Sequence, residues 1–432
     1  MVKSIEDIQL YFKNRQSFGI KPGLERMDLL LKKLNNPERK IRTIHVAGTN
    51  GKGSTVNMIA QALIANGYRV GVFSSPSFSG ITGHFLINHD AITEHDLILL
   101  MNKIIPIVKE MDEIDESPTE FEIITALAFL YFYQRVDIAI VETGMGGRYD
   151  TTNCVSPIVS IITSLGLDHE HFLGETIQEI ACHKAGIIKE GKPVIVGPVH
   201  EAATSVIDRE AKEKKAPVIL YNNDFHVVNG EGYFIWKGPH GDRYTLTLRL
   251  KGKHQTENAA LALMAVSYLH NELNFNIDWD KVIQAIEKVK LPGRFEQIVD
   301  NPTIIVDSAH NIAGVEAFIQ TAKTYTDGAK ATLLFAGFHD KRLEEMVDRL
   351  LDASFTVSLT TFQHERAAQQ HDFENILKSH PKLMFYDNWK EVLTEYIKKQ
   401  PGDDLLFITG SLHFVMLVRQ FIKENGIADN II

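Results

Sequence analysis

A glycine-rich turn between an apolar strand and a helix restricts the fold of this chain more than any other feature. The run Thr43–Ala47 is apolar enough for a buried strand. It leads into the sequence GTNGKGS at positions 48–54, and the stretch from Ser54 to the Asn66-Gly67 pair has helical spacing. A strand, a glycine-rich turn and a helix in this order are typical of a parallel α/β sheet.

The residues of this turn predict a phosphate site. Glycines let the backbone wrap closely around a phosphate, the amide groups at the helix start supply positive potential, and Lys52 reaches the outer phosphates. The ordinary P-loop pattern is longer between its first glycine and the Gly-Lys pair. Here only Thr49 and Asn50 intervene, and Gly53 separates Lys52 from Ser54. We therefore interpret the turn as a variant phosphate loop, the alternative being a glycine-rich turn without a ligand.

Strand and helix patterns alternate along most of the chain, which predicts an α/β protein. After the first strand we expect strands at 69–74, 137–142, 158–163 and 193–196, and a hairpin formed by 233–236 and 244–250. Helices are expected at 121–133, 176–189, 258–271 and 280–289. The sequence Leu-Pro-Gly-Arg at 291–294 interrupts the pattern, so we predict domains at 1–292 and 293–432. A second series of strands follows at 303–307, 331–337, 355–361, 382–386 and 405–409.

Composition excludes several classes of protein. A chain of 432 residues is too long for one ordinary core. Acidic residues outnumber basic ones by 55 to 45, which argues against a general nucleic-acid binder. Two cysteines offer no disulfide framework and fit a reducing compartment. The amphipathic start lacks the apolar core of a signal peptide, and no apolar run is long enough to span a membrane. We therefore predict a cytoplasmic protein with no nucleic-acid or membrane partner.

Polar residues at three predicted strand ends predict a magnesium site. Ser75 follows the second strand, Glu142 ends the third, and Asp168-His169 lies just beyond the fourth. A phosphate site generally needs Mg²⁺, which prefers oxygen ligands near the carboxyl ends of the strands. The run Asp-His-Glu-His at 168–171 could instead suggest zinc, but no cysteine is near it in the sequence and phosphate chemistry is adjacent. We rank zinc lower for these reasons.

An ordered set of motifs resembles the folylpolyglutamate synthase/dihydrofolate synthase family, within the Mur ligase superfamily. The resemblance covers nearly the whole chain. Its motifs are FGIKPGLER at 18–26, GTNGKGS at 48–54, SSP at 74–76, ETGMGGRYDTTN at 142–153, LDH at 167–169, HKAGII at 183–188, His254-Gln255 with Asn258, PGR at 292–294, DSAHN at 307–311, Asp340-Lys341 and TGSL at 409–412. It implies a P-loop NTPase-like parallel-sheet domain followed by a Rossmann-like Mur ligase C-terminal domain.

The resemblance also implies a reaction. ATP phosphorylates a carboxylate, and the acyl-phosphate then meets the amine of an amino acid to form an amide. Lys52 would hold the outer phosphates. The implied nucleotide-binding residues are Thr49, Asn50, Gly51, Lys52, Gly53, Ser54, Asn258, Arg294 and Asp307. Ser75, Glu142 and His169 match the family's Mg²⁺ ligands.

Three further residues are implied to act in catalysis beside Lys52. Lys184 matches a lysine that is carbamylated in many relatives, where the carbamate would support a second Mg²⁺. The alternative is a plain lysine, salt-bridged on its helix. Asp307 and His310 follow the first strand of the second domain and would lie near ATP and the incoming amino acid.

The resemblance points to the folate branch of the superfamily. Only 47 residues precede Gly48, too few for the uridine-nucleotide domain of the peptidoglycan ligases. The expected substrates are ATP, L-glutamate and a folate or dihydropteroate, and the expected state is a monomer. The sequence SFSGITGHFL at 77–86 lacks the family's charged cluster, His183 replaces an acid, and Asp340-Lys341-Arg342 departs from the usual Asp-Lys-Asp. A ligase for another carboxylate and an inactive nucleotide-binding paralogue therefore remain alternatives.

Overall fold

The structure is a computed structural model that describes residues 1–15, 19, 21–77, 80–326, 331–398 and 405–427. The chain divides into two units. The first comprises Met1–Leu248 and Thr256–Val289, and the second comprises Arg249–Gln255 and Lys290–Ile432. The predicted α/β class is confirmed. The predicted domain boundary between 292 and 293 stays a prediction.

The main sheet of the first unit has eight strands. In chain order they are β1 (Thr43–Ala47), β2 (Val70–Phe73), β3 (Phe85–Ile87), β4 (Asp90–Ala91), β5 (Ile138–Glu142), β6 (Val159–Ile162), β7 (Val194–Val196) and β8 (Val218–Leu220). Their spatial order is β4-β3-β2-β5-β1-β6-β7-β8. All neighbours from β2 to β8 pair in parallel, as predicted, whereas β3 and β4 pair antiparallel at one edge. Strands this short carry too little period-two pattern to be recognised in the sequence.

The helices predicted in this part of the chain are all present, together with others that were not predicted. They are α1 (Ile5–Lys13), α2 (Glu25–Lys33), α3 (Lys52–Ala65), α4 (Glu94–Glu113), α5 (Glu120–Phe132), α6 (Glu170–Leu173), α7 (Ile177–Ala185), α8 (Glu201–Glu213), α9 (Lys253–Leu273) and α10 (Trp279–Glu287). Helix α3 begins at Lys52, two residues before the predicted Ser54, because the turn at Gly51 (φ +84°) already directs the chain into the helix. Helix α5 begins with a capping box in which Thr119 and Glu122 satisfy each other's backbone amides.

A small antiparallel sheet completes the first unit. Its strands are β9 (His226–Asn229), β10 (Phe234–Lys237) and β11 (Arg243–Leu246), in the order β11-β10-β9. The predicted hairpin is confirmed, since Phe234 pairs with Leu246 and Lys237 with Arg243. Trp236 is fully buried and stacks with Tyr244, at an interplanar angle of 9°, beneath α10.

The second unit contains a six-stranded sheet. Its strands are β12 (Glu296–Val299), β13 (Thr303–Val306), β14 (Thr332–Phe335), β15 (Thr356–Thr360), β16 (Met384–Tyr386) and β17 (Leu405–Thr409), and its helices are α11 (Ile312–Thr326), α12 (Leu343–Asp352), α13 (Glu374–Ser379), α14 (Trp389–Lys398) and α15 (Leu412–Glu424). The spatial order of the strands is β12-β13-β17-β14-β15-β16. Neighbouring strands pair in parallel, except that β12 pairs antiparallel with β13. The last strand in sequence therefore lies between β13 and β14.

Across the described ranges, no helix combines the length and the apolarity that crossing a bilayer would require.

Candidate active site

The phosphate loop follows β1, which lies between β5 and β6 in the sheet. Two of its glycines have no room for a side chain. A Cβ on Gly48 would collide with Thr163 Oγ1, and a Cβ on Gly51 would collide with Asn258 Oδ1. Gly51 also has a positive φ, which strains any other residue. The glycines therefore let the loop pack closely against β6 and α9.

Lys52 lies at the first turn of α3 and bends back over this loop. Its Nζ donates to Gly48 O at 2.9 Å and to Thr49 O at 3.4 Å. The loop amides and the start of α3 share the same side, so a cation and a helix N-terminus act together here. This is the geometry that binds the outer phosphates of a nucleotide.

The turn after β6 anchors the loop through hydroxyl groups that the sequence analysis did not single out. Ser164 Oγ accepts from Asn50 N at 3.0 Å and donates to Asn50 O at 2.9 Å. Thr163 Oγ1 donates to the same carbonyl at 2.7 Å. Thr49 Oγ1 donates to Gly166 O at 3.0 Å, so this hydroxyl holds the loop to β6. The sequence signal that could have identified these hydroxyl groups is the adjacent pair Thr163 and Ser164, which ends a predicted strand shortly before Asp168.

Three of the predicted magnesium ligands follow parallel strands that end at one edge of the sheet. Glu142 ends β5 and is 5% exposed, and its Oε2 would lie 3.7 Å from a Cβ on Gly53. Half-buried Ser75 follows β2. His169 follows β6 at the start of α6, is exposed, and has φ +53°. Asp168 is 8% exposed and accepts from His169 N at 2.9 Å. Glu142 thus lies directly beside the phosphate loop.

The chemistry of these side chains fits a magnesium ion better than a transition metal. Within the residues that the structure describes, no three His, Cys, Asp or Glu side chains are grouped as a metal site. The set Ser75, Glu142 and His169 supplies two oxygen donors, a carboxylate and a hydroxyl, and one imidazole nitrogen. Oxygen ligands completed by water and substrate phosphates are the usual arrangement for Mg²⁺.

Lys184 lies on α7, which packs against the glycine loop after β5. A Cβ on Gly147 would lie 2.7 Å from His183 O and 3.1 Å from Lys184 Cα. The Lys184 side chain is 3% exposed. Burial and, after it, the charge of Lys52 lower its pKa to about 7, and the carboxylates of Asp168 and Asp150 oppose part of the shift. A lysine with such a pKa is neutral in about half of the molecules at pH 7.

Asp150 organises the glycine loop that follows Glu142. Its Oδ2 accepts from Met145 N at 2.8 Å, and its Oδ1 accepts from Thr152 N at 3.0 Å. The Thr152 hydroxyl donates to Asp150 Oδ1 and lies 2.9 Å from Nε2 of His45. Complete burial lowers the pKa of His45 to about 3, so its ring is neutral. This buried chain of polar groups runs beneath the loop.

The second unit brings three predicted residues together at the carboxyl end of β13. Asp307 accepts from Phe295 N at 2.8 Å and from Ala309 N at 2.9 Å. Burial raises the pKa of the Asp307 carboxyl, and the charges of Arg294 and His310 counteract part of the rise. His310 Nδ1 lies 2.8 Å from Ser308 O, and because a carbonyl oxygen only accepts, Nδ1 carries a proton.

Asn258 and His254 occupy the start of α9. Asn258 is 6% exposed, and its side-chain oxygen lies against Gly51, which is the contact expected of a residue near the nucleotide loop. Burial lowers the pKa of His254 to about 4, and the charge of Arg294 contributes. The ring of His254 is therefore neutral at physiological pH.

Two predicted motifs lie only partly within the described residues. Phe18 and Ile20 of the motif at 18–26 lie outside them, as do Phe78 and Ser79 of the altered loop at 77–86. The described part of that loop forms a 3₁₀ helix at Gly80–His84 that leads into β3. His84 Nδ1 lies 2.8 Å from Ser74 O, which ties the loop to the residue before Ser75.

Comparisons with known proteins agree with this geometry. Residues 46–266 match the family model of the Mur ligase middle domain, and residues 293–412 match that of the Mur ligase glutamate ligase domain. The fold and the site thus define a Mur-type ATP-dependent ligase.

Individual relatives identify the family within this class of ligases. The Bacillus subtilis dihydrofolate synthase/folylpolyglutamate synthase is 36% identical over 98% of this chain and 100% of its own length. A solved structure described as E. coli FolC in complex with DHPP and ADP has a TM-score of 0.87 and 27% identity, covering 98% of this chain and 99% of that one. A solved structure described as an FPGS-AMPPCP-folate complex has a TM-score of 0.84 and 31% identity, covering 97% of this chain and 100% of that one. The chain belongs to the dihydrofolate synthase/folylpolyglutamate synthase family.

Proposed function

We propose that the chain is an ATP-dependent ligase that adds L-glutamate to a folate through an acyl-phosphate and releases ADP and phosphate. The acceptor is dihydropteroate, the γ-carboxyl of tetrahydrofolate, or both. One observation carries the proposal: the phosphate loop, with Lys52 bent over it, lies beside the buried carboxylate of Glu142 in a chain that matches such enzymes over nearly its whole length. The ADP, ATP-analogue and folate complexes of the relatives support the choice of substrates.

In the proposed reaction, a carboxylate oxygen of the acceptor attacks the γ-phosphorus of ATP, and the bond to ADP breaks. The glutamate nitrogen then attacks the acyl carbon, phosphate leaves, and the amine gives up a proton. Lys52 and the amides of residues 48–54 bind the phosphate oxygens and stabilise the charge that develops on them. Asn258, Arg294 and Asp307 complete nucleotide binding. We propose His310, whose ring is oriented by the hydrogen bond from Nδ1 to Ser308 O, as a catalytic residue near the incoming amino acid.

We propose Ser75, Glu142 and His169 as ligands of a first Mg²⁺, and a carbamylated Lys184 as support for a second. When bound, the ions would neutralise charge on the transferred phosphoryl group. The burial of Glu142 beside Gly53 favours this role, because it places a carboxylate directly next to the phosphate loop. The pKa of Lys184, about 7, favours the carbamate, because only the neutral amine reacts with CO₂.

We also propose that the enzyme works as a monomer in the cytoplasm. The two cysteines offer no disulfide framework, which suits a reducing compartment. Size-exclusion chromatography with light scattering would measure the oligomeric state.

The experiment that tests the function is phosphate release from Mg²⁺-ATP and L-glutamate, with dihydropteroate and tetrahydrofolate as separate acceptors. Lys52→Ala serves as the blank. We expect acceptor-dependent release and a product heavier by one glutamate. ATP binding without release on either acceptor would refute the folate assignment, and the altered loop at 77–86 would then direct the search to another carboxylate. ATP binding without phosphate release on any carboxylate tested would favour an inactive nucleotide-binding paralogue.

A further inference from the structure

A buried ion pair fastens an N-terminal segment to the start of α5. Arg26 Nη2 lies 3.2 Å from Glu122 Oε1, and the two side chains are only 14% and 1% exposed. Arg26 Nε also donates to Glu122 Oε2 at 3.4 Å. Separating two charges that are buried to this degree is costly, because each would remain buried without its partner. The pair therefore fixes the relative position of its two side chains.

Each partner of this pair also binds backbone. Glu122 Oε2 accepts from Thr119 N at 2.7 Å and so closes the capping box of α5. Arg26 Nη2 donates to Lys21 O at 2.8 Å. Lys21 Nζ in turn donates to Ser117 O at 3.5 Å. The pair therefore holds the described residues 21–26 against residues 117–122 at several points.

The start of α5 packs against the ends of two strands of the main sheet. The ring of Phe121 is half-buried, and a Cβ on Gly144 would lie 2.7 Å from it. The same ring lies 6.0 Å from that of Phe73, centroid to centroid. Gly144 is two residues after Glu142, and Phe73 is two residues before Ser75. Phe121 thus contacts both strand ends that carry proposed magnesium ligands.

The nucleotide loop depends on different contacts. Its residues Thr49 and Asn50 are bonded to Ser164 and Gly166 beyond β6, on the other side of β1. None of these bonds involves Arg26 or Glu122. A change in the ion pair can therefore alter the packing beside Glu142 while the loop that binds ATP keeps its anchors.

We propose that Arg26 and Glu122 are positioning residues for the carboxylate acceptor. The ion pair holds the segment at 21–26 on the start of α5 and so fixes Phe121 beside the strand ends where the acceptor's carboxyl group is phosphorylated. This inference rests on the proposed function, because it concerns the acceptor of that reaction.

The test is steady-state kinetics of Arg26→Gln, Glu122→Gln and the double variant with dihydropteroate and tetrahydrofolate. KM for the acceptor that wild type uses should rise about tenfold, which corresponds to about 1.4 kcal/mol of acceptor binding. KM for ATP, and kcat at saturating acceptor, should stay within about twofold of wild type, because loss of a ground-state contact raises KM alone. The double variant should be no worse than either single variant, because the two side chains act as one unit.

Arg15→Gln is the matched control. Arg15 Nη2 lies 2.6 Å from Asp112 Oδ1, and its side chain is 7% exposed. This pair also ties the N-terminal part of the chain to a helix, but the helix is α4 rather than α5. Arg15→Gln should lower the melting temperature and leave KM for the acceptor unchanged. Arg26→Lys keeps the charge and provides a milder variant, with an intermediate KM, in case Arg26→Gln does not fold.

A normal acceptor KM in folded Arg26→Gln or Arg26→Lys, with only the melting temperature lowered as in Arg15→Gln, would overturn the inference. A wild-type protein that adds no glutamate to either acceptor would overturn the proposed function and the inference with it. Turnover by wild type with unchanged KM in the variants would overturn the inference alone.

Discussion

The amine of Lys184 should react with CO₂ far more readily than that of an exposed lysine. Burial and the neighbouring charge of Lys52 lower its pKa from 10.5 to about 7. At pH 7.5 about three quarters of such amines are neutral, whereas an ordinary lysine is neutral in about one molecule in a thousand. The reactive fraction is therefore several hundredfold larger, by an order-of-magnitude estimate.

In the reaction, the neutral Nζ attacks the carbon of CO₂, an N–C bond forms, one C–O double bond becomes a carboxylate oxygen, and the amine releases a proton.

The experiment first removes CO₂ from the enzyme solution and then adds ¹³C-labelled bicarbonate. We expect activity to rise on addition and a ¹³C carbamate signal to appear by NMR. The sign of the pH dependence follows from the lowered pKa: the neutral amine accumulates as pH rises through about 7, so carbamate and activity should rise together there.

Lys184→Arg is the control for this experiment, because a guanidinium stays protonated and forms no carbamate. It should give no signal, and its activity should not respond to bicarbonate. Full wild-type activity without a carbamate signal between about pH 6 and pH 9 would refute the reasoning, since that range spans the titration expected from the pKa.

Three further outcomes follow from the site. Gly51→Ala should weaken ATP binding about tenfold or more in calorimetry, because its Cβ would collide with Asn258. Gly67→Ala has a similar φ of +87° and open space around it, so it should lower stability by about 1 kcal/mol and leave ATP binding intact. Glu142→Gln should raise the Mg²⁺ concentration needed for half-maximal rate by about tenfold, and an unchanged requirement would contradict its role as a ligand. His45 should make the protein lose stability as pH falls from about 6.5 towards 3, because the unfolded chain binds a proton that the folded ring rejects. In denaturant titrations, the free energy of unfolding should fall by about 1.4 kcal/mol more between pH 7.5 and pH 5.5 in wild type than in His45→Gln. An equal fall in the two proteins would exclude His45 as the cause.

Local signals account for the parts of the fold that the sequence predicted well. The strand Thr43–Ala47 has the predicted bounds, because an unbroken apolar run ends directly at Gly48. The hairpin was recognisable from period-two alternation around a turn rich in glycine. The antiparallel edge strands β3, β4 and β12 were missed, since strands of two to four residues at a sheet edge leave no distinct pattern.

The parts of the site that the sequence could not predict depend on contacts distant in the chain. Ser164 and Thr163 form hydrogen bonds to Asn50, which is more than a hundred residues away in the sequence. No pattern in the neighbouring sequence indicates such contacts. The burial of Lys184 depends on how α7 packs against the loop at Gly147, which spacing alone does not give. The order of the motifs is the basis for the proposed site residues, and tertiary packing decides how those residues ionise.

The position of β17 in the second sheet has a consequence for synthesis. Thr303 pairs with Leu405, so the partner of β13 leaves the ribosome 405 − 303 = 102 residues later. Pairing over such a distance is intrinsically slow to form. Until then β13 and β14 each present an unpaired edge, which can recruit strands from other chains. A nascent chain that stalls before Leu405 should therefore depend on chaperones, and a fragment ending there should aggregate rather than persist as a smaller folded unit.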